Sequence, residues 1–112
     1  MILILALQAT VAATSPQQAF VAAYQDCLAP IVRGNELAGK ESYQPLETVL
    51  GQIELKCSKE RAAAREALSA IIAANHPEHP QPSESQKEQL IGDATIRWAN
   101  NVVARMVAEE AK

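Results

Sequence analysis

Apolar side chains recur every three or four residues in three stretches of this 112-residue chain, which is the period of an amphipathic helix. No stretch alternates apolar and polar residues over the length of a half-buried strand. The pattern predicts an all-α fold, a small bundle of three helices over roughly residues 16–33, 45–75 and 84–110.

The first predicted helix opens at Ser15, a capping residue that is followed by proline in the first turn. Pro30 removes an amide donor, so we expect the helix to kink or end close to it, with Gly34 and Asn35 closing the segment. Residues 35–44 are polar and lack periodicity, which predicts a loop. One apolar face of this helix carries Phe20, Tyr24, Cys27, Leu28 and Ile31.

The second predicted helix has a single apolar stripe along its whole length. Because the stripe is unbroken, we expect one helix that continues through Gly51 and Ser58. The alternative is two helices that separate near Cys57 and Ser58. Three prolines within residues 76–83 then predict an extended linker. The stripe comprises Leu46, Val49, Leu50, Ile53, Cys57, Ala64, Leu68 and Ile71.

The third predicted helix begins at Ser83 or Ser85, because each serine is followed three residues later by a side chain, Gln86 or Glu88, that completes a capping box. Its apolar sector covers more than half of the circumference, whereas a surface helix has a stripe of about 100°. Two neighbouring helices should leave part of this sector uncovered. The sector comprises Ile91, Ala94, Thr95, Ile96, Trp98, Ala99, Val102, Val103, Met106 and Val107.

The first thirteen residues are typical of a secretory signal peptide. A short apolar run precedes Val11 and Ala13, small residues at the −3 and −1 positions of a cleavage site. The run is far shorter than the roughly 20 residues that cross a bilayer. No lysine or arginine opens it, so either translation starts upstream of Met1 or the run is a buried N-terminal helix. We expect cleavage near Ala13, leaving residues 14–112 as one helical domain in the periplasm or outside the cell.

The two cysteines, Cys27 and Cys57, lie on the apolar stripes of the first and second predicted helices. In an oxidising compartment we expect them to form a disulfide between those helices. A bridge that closes a loop of this length stabilises a fold by roughly 3.5 kcal/mol in the chain-entropy model. In a reducing compartment they would be two buried thiols. A redox function is not indicated, because the chain has no Cys-x-x-Cys pair.

Composition and motifs exclude several classes of function. The net charge is −3, and acidic and basic residues are interspersed, so neither the basic stripe of a nucleic-acid surface nor a polybasic lipid site is present. The sequence has no nucleophile elbow, glycine-rich phosphate loop, zincin motif or haem attachment motif. We therefore expect no catalytic residues, no cofactor, no nucleic-acid partner and no stable membrane insertion.

The only histidines, His76 and His79, lie in the proline-rich linker, where an extended backbone directs both to one side. Together with Glu78 they are weak candidate ligands for a soft divalent metal. A structural zinc site requires four ligands, and the sequence offers no obvious fourth. The alternative interpretation is a solvated linker, so no resident metal is expected.

The wide apolar sector and the lack of catalytic motifs favour a binding or structural protein that acts outside the cytoplasm. We expect a protein partner or a homodimer through the third helix, with Ile96, Val103 and Val107 meeting their symmetry mates. Trp98 either packs in the core or anchors this interface. Two alternatives are a periplasmic stress chaperone and a metal-binding accessory protein that uses His76 and His79.

Overall fold

The computed structural model describes residues 16–111, and the predicted signal peptide, residues 1–13, lies outside this range. Within the described residues the chain is helical and has no strand, which confirms the all-α prediction. The prediction of three helices is wrong, because residues 16–111 form four. They are α1, Pro16–Leu37; α2, Leu46–Lys56; α3, Ser58–Asn75; and α4, Glu84–Glu110.

The helix predicted over residues 45–75 is divided at Cys57. This residue has φ −112° and ψ 24°, outside the helical region, and it separates α2 from α3. The backbone hydrogen bonds nevertheless continue across it: the Cys57 N–H donates to the Ile53 carbonyl, and the Arg61 N–H donates to the Cys57 carbonyl. The apolar stripe therefore keeps its phase through the joint. An unbroken stripe does not distinguish one helix from two that meet end to end.

Helix α1 extends past its predicted end at residue 33 and continues to Leu37, with Pro30 inside it. Because Pro30 has no N–H, the Asp26 carbonyl accepts no helical hydrogen bond from it. Both residues are exposed. Water can satisfy that carbonyl. Leu28 and Val32, on the opposite side, are both buried, so packing holds the helix together across the proline.

Contacts between side chains give the directions of the helices. Cys57 lies opposite Cys27, and α2 and α3 both run antiparallel to α1, so the two short helices together cover its length. Helix α4 runs parallel to α1, because Tyr24 contacts Thr95 and Arg33 pairs with Glu109 at 3.6 Å. The four helices thus form a three-helix bundle in which α2 and α3, joined end to end at Cys57, together take the place of the second helix.

The core lies where these helices meet. The Tyr24 hydroxyl, fully buried, donates to Thr95 Oγ1 at 2.8 Å, and the Thr95 hydroxyl donates to the Ile91 carbonyl at 2.6 Å. Burial raises the pKa of Tyr24, so its hydroxyl remains a donor. The buried cluster comprises Tyr24, Leu28, Val32, Val49, Ile53, Cys57, Ala64, Ile91 and Ala99.

A side-chain clamp fixes the loop between α1 and α2. The Asn35 amide group donates to the Gln44 carbonyl at 3.2 Å and accepts from the Gln44 N–H at 2.8 Å. Within this loop Gly39 has φ 83°, a left-handed conformation that glycine adopts without steric cost. The clamp sets where α2 begins relative to the end of α1.

Replacing Asn35 with alanine is expected to lower the free energy of unfolding by about 1 kcal/mol, because both hydrogen bonds of the clamp are lost. Urea denaturation followed by circular dichroism measures this change. Asn35→Asp is the matched control, because it keeps the acceptor and loses the donor. Its free energy of unfolding should lie between those of the parent and Asn35→Ala. An unchanged midpoint for Asn35→Ala would show that the clamp does not position the loop.

Candidate interaction groove

A groove separates α2 from α4, and α1 forms its floor. Two cavities of about 260 and 270 Å³ lie along it. The first is lined mainly by apolar side chains, whereas the second is lined by apolar and polar side chains in similar number. The first is lined by Val32, Tyr43, Leu46, Val49, Ala99 and Val103, together with polar groups of α1 and α4. The second is lined by Tyr24, Leu50, Thr95 and Ile96, together with polar and charged residues.

Helix α4 carries an apolar row, Ile96, Val103 and Val107, which we name the α4 stripe; Ile96 and Val103 line the groove, and Val107 lies beyond its two cavities. Its members are seven and four residues apart, so they lie along one line of the helix surface. Ile96 is 38% exposed and Val107 is 59% exposed, whereas Val103 is partly buried against the core. Part of the wide apolar sector therefore stays uncovered, as the sequence predicts.

The opposite wall adds apolar surface that the sequence does not assign to a site. Tyr43, in the loop before α2, is 52% exposed, and Leu46, at the start of α2, is 43% exposed. Sequence periodicity places Leu46 in the core and gives no assignment to Tyr43. Neither residue carries a local pattern that indicates a groove, because the groove exists only once α2 is positioned across from α4.

The rim of the groove is acidic on the α1 and α2 side. Glu36 lines the first cavity, and Glu54 lines the second, where Arg61 offsets it. The negative charge of Glu36, reinforced by a hydrogen bond between the two side chains, raises the pKa of the Tyr43 hydroxyl. Tyr43 is therefore a neutral side chain that offers both an apolar ring and a hydrogen-bonding group to a bound partner.

Trp98 lies apart from the α4 stripe. It is half-buried, and its ring packs edge-on against Tyr24 with centroids 5.8 Å apart. It also lines a separate cavity of about 170 Å³ with Ala29 and Arg105. Of the four interface candidates from the sequence, the structure therefore brings three together on one row and places the tryptophan on another side of α4.

Charged side chains join α3 to α4. Arg61 and Arg65 both donate to Glu88, at 3.1 and 2.9 Å, and Lys87 donates to Glu66 at 2.9 Å. The hydrogen bond from Arg61 lowers the pKa of Glu88, and that from Lys87 lowers the pKa of Glu66. The carboxylates of these pairs are about half exposed, so the pairs fix the register of α3 against α4 more than they stabilise the fold.

The start of α4 is fixed by the first of the two capping boxes that the sequence offers. The Ser83 hydroxyl accepts from the Gln86 N–H at 3.2 Å, and the Gln86 side chain accepts from the Ser83 N–H at 2.8 Å. Glu88, the partner required for the alternative box at Ser85, pairs with the two arginines of α3 instead.

The two histidines lie in the linker between α3 and α4. His76 Nδ1 is 3.8 Å from Glu78 Oε1, and His79 Nε2 is 3.6 Å from the same oxygen. All three side chains are exposed. Both imidazoles line a cavity of about 580 Å³ whose apolar part includes Ile72 and Leu90. The structure thus brings together the three residues that the sequence singles out.

The chain has no match among protein-family models, curated proteins or solved structures. The helices within residues 16–111 all fall short of the combined length and hydropathy that crossing a lipid bilayer requires. What the chain does is therefore indicated by the groove, the histidine cluster and the disulfide alone.

Proposed function

We propose that this chain is a non-enzymatic binding protein of an oxidising compartment outside the cytoplasm, and that it acts by associating with a second copy of itself through the groove. The observation that carries this proposal is the α4 stripe at the edge of the groove, in which Ile96 and Val107 are exposed and Val103 is partly exposed. Apolar side chains clustered on one surface of a small protein indicate an interaction site.

A second copy suits the α4 stripe because the stripe is complementary to itself. When two copies of α4 cross antiparallel about a two-fold axis, Ile96 of each helix faces Val107 of the other. The contact then extends over about 16 Å, the rise of eleven helical residues. Asn100 lies beside the axis and is exposed, so its amide can hydrogen-bond across the interface and fix the register.

The cysteine pair supports the proposed compartment. Cys27 and Cys57 are joined by a disulfide with Cα atoms 6.0 Å apart, and the described residues contain no free cysteine. Disulfides persist in the periplasm and outside cells, and they are rare in reducing cytosol. The signal-like sequence of residues 1–13 also supports export.

Replacing Ile96 with glutamate is expected to weaken dimerisation at least tenfold, because the carboxylate loses water when the stripe is covered. Sedimentation equilibrium of the domain from residue 14, at concentrations up to about 100 µM, measures the dissociation constant. Leu55→Glu is the matched control. Leu55 is 81% exposed and lines neither cavity of the groove, so this variant should dimerise like the parent.

A strict monomer at about 100 µM would contradict the proposal, and so would equal weakening by Ile96→Glu and Leu55→Glu. Circular dichroism of each variant distinguishes a lost interface from a lost fold.

A stress chaperone is the second candidate, favoured by the large apolar side chains that are exposed away from the groove, Phe20, Leu37 and Leu55. Chaperones bind unfolded clients through dispersed apolar surface rather than through one self-complementary row. A client-aggregation assay across pH separates the two functions. Protection that Leu55→Glu reduces and Ile96→Glu leaves unchanged would favour the chaperone.

A further inference from the structure

We propose that His76, Glu78 and His79 form a binding site for one late-transition divalent ion, and that Cu²⁺ binds there more tightly than Zn²⁺. This site is separate from the groove and does not depend on self-association. Its ligands are two imidazole nitrogens and one carboxylate oxygen, a set that suits copper, zinc, nickel and iron. Affinity for such a set rises towards Cu²⁺ along the Irving–Williams order and falls again at Zn²⁺.

The ligand atoms are already close to the spacing that an ion requires. One nitrogen from each ring and one carboxylate oxygen all lie within 4.8 Å of one another. Bonds of about 2.0 Å to a single ion place neighbouring ligand atoms roughly 2.8 Å apart in the tetragonal geometry of Cu²⁺ and roughly 3.3 Å apart in the tetrahedral geometry of Zn²⁺. The distances of 3.8 and 3.6 Å from Glu78 to the two rings therefore need to shorten by about 1 Å or less. The two ring nitrogens, which lie within 4.8 Å of each other, need to approach by up to about 2 Å. Exposed side chains make such adjustments by small rotations.

The backbone holds the three residues in one turn before any ion arrives. The His76 N–H donates to the Ile72 carbonyl at 3.0 Å, which ties the first ligand to the end of α3. The His79 N–H donates to the His76 carbonyl at 3.1 Å and brings the second ring back over the first, with centroids 5.7 Å apart. Pro77 and Pro80 restrict the backbone on either side, so less conformational entropy is lost when an ion binds.

The rest of the chain offers few competing ligands for a soft ion. His76 and His79 are its only histidines, and its only cysteines are joined in the disulfide. The two rings also line the cavity of about 580 Å³ next to the turn, whereas Glu78 does not line it. An ion held by the two rings would therefore lie next to this cavity, which has room for water or a small ligand.

The test is calorimetric titration of the domain from residue 14 with Cu²⁺ and, separately, with Zn²⁺, in a weakly coordinating buffer. We expect one equivalent of each ion, with the smaller dissociation constant for Cu²⁺. His79→Ala should weaken Cu²⁺ binding at least tenfold, and Glu78→Gln should weaken it by a smaller factor. Glu41→Gln, an exposed acid in the α1–α2 loop, is the matched control and should leave binding unchanged.

Electron paramagnetic resonance of the Cu²⁺-loaded protein gives an independent readout. Splitting from two imidazole nitrogens is expected in the parent and from one in His79→Ala. Three results would overturn the proposal: no binding at about 100 µM ion, tighter binding of Zn²⁺ than of Cu²⁺, or a Cu²⁺ affinity that survives His76→Ala combined with His79→Ala. The last result would place the ion elsewhere, for example on the mature N-terminal amine.

Discussion

Replacing Cys27 and Cys57 together with alanine is expected to lower the free energy of unfolding by about 3.5 kcal/mol. The bridge closes a loop of 30 residues and pins the middle of α1 to the joint between α2 and α3. Without it the unfolded chain gains conformational freedom, and nothing covalent holds Cys57 in its non-helical conformation. A domain of this size has only about 5–15 kcal/mol of stability in all, so this loss is a large share.

Urea denaturation of the oxidised parent and of the double variant measures this difference. Adding reductant to the parent should reproduce most of the loss, and adding it to the double variant should change nothing. A difference below about 1 kcal/mol between the oxidised parent and the variant would contradict the role assigned to the bridge.

Replacing Leu28 with alanine is expected to lower the free energy of unfolding by about 3 kcal/mol, within the range for leucine-to-alanine changes in cores. Leu28 is fully buried in α1, one residue after the bridged Cys27 and two before Pro30. Its removal leaves a cavity and takes away packing that keeps α1 continuous across the proline. We therefore also expect a lower helical content near the end of α1.

The matched control is Leu55→Ala, the same chemical change at a side chain that is 81% exposed. Its effect should stay within about 0.5 kcal/mol, as is usual for surface substitutions. Relative to the parent, the Leu28→Ala variant should show a larger increase in hydrogen exchange rate in residues 30–37 than in α3. Similar stability losses for the two variants would show that Leu28 does not lie in the core as described.

The elements themselves are predictable from the sequence, because burial imposes a helical period on the apolar residues. The same argument pairs Cys27 with Cys57, since both sulfurs fall on stripes that face each other in an antiparallel pair. It misses the joint at Cys57, because the stripe keeps its phase there. It also misplaces the end of α1. Because Pro30 and Asp26 are exposed, the lost hydrogen bond costs little free energy, and their exposure depends on tertiary packing.

The candidate site is only half predictable. The α4 stripe follows from the sequence, because an apolar sector wider than two neighbours can cover must leave some residues exposed. The places of Tyr43 and Leu46 on the opposite wall do not follow from the sequence. They depend on where α2 begins, which the hydrogen bonds between Asn35 and Gln44 determine. The histidine cluster follows from local sequence alone, since all of its ligands lie within four residues. The ion pairs between α3 and α4 require knowledge of helix register that no local pattern supplies.

The compartment and the disulfide together are the premise of the proposed function, because an exported chain braced by a bridge is what presents the groove to partners outside the cytoplasm. The most direct test is the intact mass of the protein isolated from its native compartment with free thiols blocked during lysis. We predict a chain that starts near Thr14, carries no blocking group, and has a mass about 2 Da below that of the reduced chain, since the bridge removes two hydrogens. A full-length chain with both Cys27 and Cys57 blocked would contradict the account.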